Sequence, residues 1–287
     1  MANTEQSEMA PGLYLVATPI GNARDITLRA LDMLASADVL AAEDTRTLRR
    51  LMDLHGVPVA DRPLLAYHEH NGAKMRPRIL AEIAAGKSVL YASEAGTPMI
   101  SDPGFDLARA VRAEGLAVTT APGVSAVVTA LTLASLPTDR FLFAGFLPNA
   151  QGARKTALRG LSAVEATLAF YESPRRVGAM LADAEEVLGD RPAAVCRELT
   201  KRFEEVRQGS LSDLADYYAE NPPKGEIVVL IGKGDSGTVR ELDLEQEVNK
   251  ALETMSVRDA ADYVSTRFGV KRRPVYQLAM RLSGRDE

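Results

Sequence analysis

The sequence predicts a two-domain α/β protein with a small helical appendage, and three observations predict it. From Leu13 to about Gly123, short apolar runs alternate with amphipathic stretches, the pattern of a mainly parallel sheet flanked by helices. After Pro137 the texture changes, and a second set of strand-like runs follows at closer spacing. From Thr238 onward only helical periodicity remains.

In the first region the strand-like runs are LYLVATPI, DVLAAED, PLLAYH, KSVLYASE and LAVTTAPG. They are continuous rather than alternating, as strands buried on both faces should be. Between them lie the helical patterns ITLRALDMLASA, a helix opening at Thr45, MRPRILAEIAAG and FDLARAVRAEG. GVSAVVTALTLASLP reads as one more helix, ended by Pro137. A domain boundary is expected between Leu136 and Arg140. The second region offers FLFAGFL, ATLAFYES, AAVCRELT, EEVRQGSL and GEIVVLIG as strands, with ARKTALRGLSAV and RRVGAMLADAEEVLG as helices between some of them. The rest follow one another closely, which predicts a mixed sheet. Three short helices close the chain: LDLEQEVNKALETM, SVRDAADYVSTRFG and KRRPVYQLAMRL. Ser256 with Asp259 three residues on suits an N-cap, and Gly269 sits where a C′ glycine belongs. The last helix opens on Lys271, Arg272 and Arg273, giving a helix-turn-helix outline. The expected organisation is a polar tail over 1–12, α/β domains over 13–137 and 138–235, and a helical domain over 238–287.

Composition sets limits. The 287 residues are 46% hydrophobic and 25% charged, with a formal net charge of −5, so a protein coated in basic surface is excluded and any nucleic-acid contact must be a local patch. The one cysteine, Cys196, rules out an internal disulfide framework and fits a reducing cytoplasm. The opening MANTEQSEMAPG does not read as a leader peptide, and no apolar run reaches spanning length. A cytoplasmic protein without membrane attachment is expected.

Several motifs carry chemistry, and each has a plainer reading. GKGDSG, Gly232 to Gly237, matches a dinucleotide fingerprint, but only helical sequence follows it, so a linker is expected instead. YHEHN puts His68 and His70 around Glu69; no third ligand with suitable spacing stands out, and no metal is expected. In AAEDTR, Glu43 and Asp44 end a strand and Thr45 starts a helix. Strand C-termini in parallel sheets bind ligands, while Asp44 or Thr45 could simply cap the helix. TPIGN, EAGTP, SDPG and APGVS share Gly, Pro and small hydroxyls after strands, so they should gather at one sheet edge and present backbone groups to a ligand. They offer no nucleophile–base pair and no basic clamp for a phosphate cofactor. A nucleoside with a charged arm suits them better.

Taken in order, LVATPIGNARDITLRALDML, AAEDTR, YHEHN, SEAGTPMISDPG, APGVSA, LPTDRFLFAGFLP, FYESPRR, RELTKRFEEVRQG and GEIVVLIG make the chain similar to the ribosomal RNA small-subunit methyltransferase I family of the tetrapyrrole methylase superfamily, from Leu13 to about Gly232. The resemblance implies a tetrapyrrole-methylase-like two-domain α/β fold, a homodimer, and S-adenosylmethionine in the cleft between the domains. It also implies methylation of a cytidine 2′-OH in the decoding region of 16S ribosomal RNA within the small ribosomal subunit. The cofactor residues it implies are Pro19, Ile20 and Gly21; Glu94, Ala95, Gly96, Thr97 and Pro98; Ser125 and Ala126; Tyr171 and Glu172; and Leu199 and Gly225. Glu94 stands where the family usually has aspartate. A group that helps remove the hydroxyl proton is sought among Glu43, Asp44, His68, Glu69, Glu172 and Lys201, with Glu172 and Lys201 favoured because their strands end at the cleft. RNA contacts are expected from His68, Glu69, Arg46, Arg175, Arg176, Lys271, Arg272 and Arg273, with Arg154, Lys155, Lys201 and Arg202 also in view. For the scattered arginines a solvated surface charge is the rival reading. Two rival functions remain: a methylase with a small-molecule acceptor, and a non-catalytic RNA-binding protein.

Overall fold

The computed structural model describes residues 8–100, 104–234, 241–268 and 270–283. Asp102, Pro103, Gly269 and parts of the tail and of the Gly232 to Gly237 stretch lie outside the described residues, so the expectations placed on them stand as they were. The chain divides into two compact units. One spans 1–160 and 166–232, the other 161–165 and 233–287.

The first unit contains both sheets. Strands β1 (Gly12–Val16), β2 (Val39–Ala42), β3 (Leu64–Ala66), β4 (Ser88–Ala92) and β5 (Val118–Ala121) form a wholly parallel sheet in the order β3-β2-β4-β1-β5. Both of its faces are covered. Leu40, Leu90 and Val16 pack with α1 (Leu28–Ser36) and α2 (Thr45–Leu54), while Val39, Val89 and Leu13 pack with α3 (Gly72–Ala84) and α4 (Gly104–Ala113). Neighbouring residues of one strand thus serve opposite cores, and this is why the runs are continuously apolar. Thr27 and Asp44 cap α1 and α2 by accepting the amides of Ala30 and Arg46.

Helix α5 (Ala126–Leu133) stops before the expected point. It ends at Leu133, and Ser135 turns the chain with a φ of 50°, two residues before Pro137. Proline restricts the residue before it as well as itself, so helical geometry is lost upstream of the ring. Val127, Ala130, Leu131 and Ala134 pack with Ala169, Ala194, Cys196, Val228 and Leu230 of the second sheet. Cys196 is fully buried there, which pushes its thiol up to about 12.

The second sheet is mixed. β6 (Phe141–Phe146), β7 (Thr167–Glu172), β8 (Pro192–Arg197), β9 (Glu205–Ser210) and β10 (Ile227–Ile231) run in the order β6-β7-β10-β8-β9. Only β6 and β7 are parallel. Its helices are α6 (Gln151–Leu161), α7 (Val177–Leu188) and α8 (Leu211–Glu220). Helix α8 was not anticipated in the close run of strands. Its signal is a capping box, in which the Ser210 hydroxyl accepts the Asp213 amide and the Asp213 carboxylate accepts the Ser210 amide. Gly178 of α7 has room only for hydrogen, since a Cβ there would lie 3.2 Å from the Tyr218 carbonyl of α8.

In the second unit, α9 (Glu241–Leu252), α10 (Val257–Phe268) and α11 (Arg272–Leu282) close over Val248, Ala260, Val264, Val275 and Ala279. Ser256 caps α10 as expected: its hydroxyl accepts the Asp259 amide at 3.2 Å and donates to the Asp259 carboxylate at 2.7 Å. No helix among the described residues is long and apolar enough to cross a membrane.

Candidate functional site

Three of the Gly- and Pro-bearing loops are laced together at the carboxyl edge of the parallel sheet. Thr18 and Gly96 exchange backbone hydrogen bonds of 3.0 and 2.9 Å, and Gly96 takes a φ of +81° to do so. The Ser93 hydroxyl donates to the Gly96 carbonyl at 2.5 Å, and the Thr18 hydroxyl donates to the Ser93 carbonyl at 3.1 Å. Thr97 Oγ1 donates to the Val124 carbonyl at 2.9 Å, tying the second loop to the third. Gly123 approaches so closely that a Cβ would lie 2.8 Å from that of Ala17. Gly96, Thr97 and Pro98 are therefore spent on shaping the loop, which leaves Glu94 and Ala95 exposed at its tip.

The first loop also meets the second sheet. A Cβ on Gly21 would lie 2.7 Å from Thr200 Oγ1 and 3.0 Å from the Leu199 carbonyl, and the Asn22 amide donates to Thr200 Oγ1 at 3.1 Å. Glu198 and Thr200 both adopt positive φ, 52° and 63°, to make this corner. The Glu198 carboxylate accepts the Glu226 amide at 3.0 Å and lies against Gly225, whose φ is +93°.

These contacts bound a cavity of about 540 Å³. Ile20, Glu43, Glu94, Ala95, Ile100 and Ala126 line it from the parallel half. From the mixed half come Phe146, Tyr171, Glu172, Ser173, Pro174, Leu199, Gly225, Glu226, Ile227 and Val228. Of the cofactor residues expected, the cavity gathers Ile20, Glu94, Ala95, Ala126, Tyr171, Glu172, Leu199 and Gly225. Pro19, Gly21, Gly96, Thr97, Pro98 and Ser125 are not among its lining residues. Phe146, Ile100 and Glu226 escaped the sequence reading, although Glu226 directly follows Gly225 and Ile100 lies within the SEAGTPMISDPG block.

Glu172 is buried. Its oxygens accept the Ser173 amide at 2.7 Å and an Arg176 guanidinium N–H at 3.1 Å. Arg176 also donates to the Leu147 carbonyl at 2.7 Å and to the Asn149 side chain. It therefore acts here as a clamp rather than an open surface cation, whereas Arg175 is exposed. Lys201 does not line the cavity. Its ammonium spans Glu198 at 2.9 Å and Glu226 at 2.8 Å. Burial lowers its pKa, but hydrogen bonds to Glu226 and Glu198 outweigh that and raise it, keeping the ammonium charged. Burial, and then the charge of Glu226, raises the Tyr171 phenol, whose ring packs on Phe143 and Phe146.

Asp44 serves as the cap of α2. Its pKa falls to about 2, because Arg46 binds it through side chain and backbone. His68, Glu69 and His70 lie away from the cavity lining, with His68 Nδ1 buried and unpaired and Glu69 exposed. No cluster of three metal-ligating side chains occurs among the described residues. Arg154 is buried in a 2.6 Å ion pair with Asp183, and Lys155 binds Glu186 at 2.6 Å, so neither is an open cation. Arg202 lies over the Phe203 ring. In the helical unit Lys271, Arg272 and Arg273 are all exposed, Arg272 being paired with Asp262.

Residues 12–215 match the model of the tetrapyrrole (corrin/porphyrin) methylases, and residues 239–283 match that of the RsmI C-terminal HTH domain. Ribosomal RNA small subunit methyltransferase I of Mesorhizobium japonicum is 46% identical over 96% of this chain and 93% of its own. Its namesake in Erythrobacter litoralis is 45% identical over 96% of each. Among solved structures, uroporphyrin-III C-methyl transferase from Thermus thermophilus complexed with S-adenyl homocysteine shares the fold. Its TM-score is 0.54 at 19% identity, covering 77% of this chain and 97% of that one. The chain belongs to the ribosomal RNA small subunit methyltransferase I family, on the tetrapyrrole methylase fold.

Proposed function

We propose that this family member transfers the methyl group of S-adenosylmethionine to a cytidine 2′-hydroxyl in the decoding region of 16S ribosomal RNA. The observation that carries the reading is the charge of the cavity. Glu43, Glu94, Glu172 and Glu226 line it, and no Lys or Arg does among the described residues. Glu172 and Glu226 are each paired with a cation, Arg176 and Lys201, that does not line the cavity. The lining itself therefore presents carboxylates and no cation, which favours a cationic ligand over a polyanionic one such as a tetrapyrrole carboxylate. The names of the relatives support RNA as the acceptor.

The cavity fits the donor. Ile20, Ala95, Ala126, Leu199 and Val228 supply apolar wall for an adenosine. When bound, S-adenosylmethionine supplies a methyl group on a sulfonium, a good leaving group that needs no metal. The chain's own task is to orient the acceptor hydroxyl and to take up or stabilise its proton charge. Glu172, fixed by Ser173 and Arg176, and Glu43, on the opposite wall, are the carboxylates assigned to that task. Lys201 touches neither reactant in this reading; it is a positioning residue that holds Glu226. A cytoplasmic homodimer belongs to the same reading, supported by the exposed Phe141, Leu142 and Phe146 on edge strand β6.

The test is to incubate the protein with S-adenosylmethionine and small ribosomal subunits from cells lacking this methyltransferase, then map ribose methylation. A new 2′-O-methyl cytidine in the decoding region is expected. Label on a porphyrinoid but not on RNA overturns the acceptor, and calorimetry without donor uptake overturns the enzyme.

A further inference from the structure

We infer that the outward face of α2 is a docking track for the RNA backbone, with Arg49 and Arg50 as its principal phosphate contacts. The inference rests on the RNA reading above and adds to it the surface by which RNA reaches the site.

Arg46, Arg49 and Arg50 stand at helical positions i, i+3 and i+4, so all three guanidinium groups leave α2 on one face. All three residues are exposed. With Thr45, Asp53 and Leu64 they wall a groove of about 370 Å³, so the charges surround a concavity rather than project singly from a convex surface. Arg46 is held by Asp44 at 2.8 Å. Among the described residues, Arg49 and Arg50 have no ion-pair partner. In a chain of net charge −5, two adjacent arginines without an ion-pair partner, in a groove whose one lining carboxylate is Asp53, point to an anionic partner.

The groove also has the right address. Thr45, which lines it, is two residues from Glu43, which lines the donor cavity. Arg46 lies in the first turn of a ten-residue helix, where the backbone dipole adds to the attraction for an anion. Arginine suits phosphate because its planar fork donates two parallel hydrogen bonds. A strand whose phosphates follow this face passes the mouth of the cavity at Glu43, where the acceptor ribose has to arrive. The carboxylates of the cavity repel RNA, and the track supplies the attraction they withhold.

The experiment is the salt dependence of binding to small ribosomal subunits from cells lacking this methyltransferase, for the full chain and for Arg49→Ala/Arg50→Ala. Alanine preserves the helix, and calorimetric affinity for S-adenosylmethionine serves as the check that the cavity is intact. Each phosphate contact to a single strand contributes about 0.7 to the slope of log K against log salt. The double variant is expected to bind with a slope smaller by about 1.4, which is roughly 25-fold weaker binding at 0.1 M salt. Its donor affinity should be unchanged. Equal slope and equal affinity in variant and parent, with the parent binding and methylating RNA, overturn the track alone. A parent that takes up donor but shows no salt-dependent RNA binding overturns the RNA reading and the track together.

Discussion

The cavity and the α2 groove are neighbours along the chain with only Asp44 between them, Glu43 lining one and Thr45 the other, yet the charged side chains that line them are mainly of opposite sign. Four glutamates line the cavity; three arginines and one aspartate, Asp53, line the groove. Both begin at the carboxyl end of β2, where a parallel sheet exposes its loops, and the groove then runs along α2 to Leu64, the first residue of β3. Asp44 separates the two fields by capping α2 and pairing with Arg46. The difference teaches how a chain of net negative charge can keep an acidic cavity and a basic groove side by side, the arrangement that the proposed donor and RNA sites require.

The largest expected effect comes from Glu172. Glu172→Ala strands the Arg176 guanidinium beside a buried hole, and breaking a buried pair from one side costs about 3 kcal/mol of stability by denaturant titration. Glu172→Gln keeps the shape, and methyl transfer should still fall by about a hundredfold if the carboxylate handles the proton. Parent-like turnover in Glu172→Gln would break the comparison at its acidic end. Next, Glu43→Gln with Glu94→Gln should weaken S-adenosylmethionine about tenfold while leaving S-adenosylhomocysteine nearly unaffected, because only the sulfonium carries the charge that the cavity attracts. Equal losses for both ligands would mean the carboxylates act through shape.

Asp44 tests the boundary between the two fields. Its folded pKa, about 2, lies below the ordinary value of 3.8, so its stabilising contribution is full above about pH 4 and is lost as pH falls through about 2. The stability gap between the parent and Asp44→Asn should therefore close over that acidic window in thermal melts. Glu94→Asp should change least. Glu94 is exposed at the loop tip, and donor affinity is expected to stay within about twofold, since the shorter side chain keeps the charge. A large loss would show that the wall is fitted to glutamate.

Much of the parallel half was legible because the strands β2 and β4 are apolar and buried throughout, a pattern that needs no knowledge of partners. Helix α8 was passed over because its capping box at Ser210 and Asp213 sits directly on the end of a strand. The loops could be recognised as ligand-bearing from their Gly and Pro content, but not which of their residues point inward. Gly96 and Thr97, expected as cofactor contacts, also lace the loops through hydrogen bonds to Thr18 and Val124, while Glu226 looks like the start of a strand and lines the cavity. Lys201 sits at a strand end facing the right way in sequence, and is then drawn off by two carboxylates 3 and 25 residues away along the chain.

By itself, then, the sequence determined what depends on local pattern: the order of strands and helices apart from α8, the caps at Asp44 and Ser256, the absence of a disulfide framework, and the family. Only the tertiary structure decided which charges meet. The pairing of Arg154 with Asp183, Arg176 with Glu172 and Lys201 with Glu226 joins residues on different elements or across a turn. Coulomb energies depend on distance and burial, and neither is written in the order of the residues.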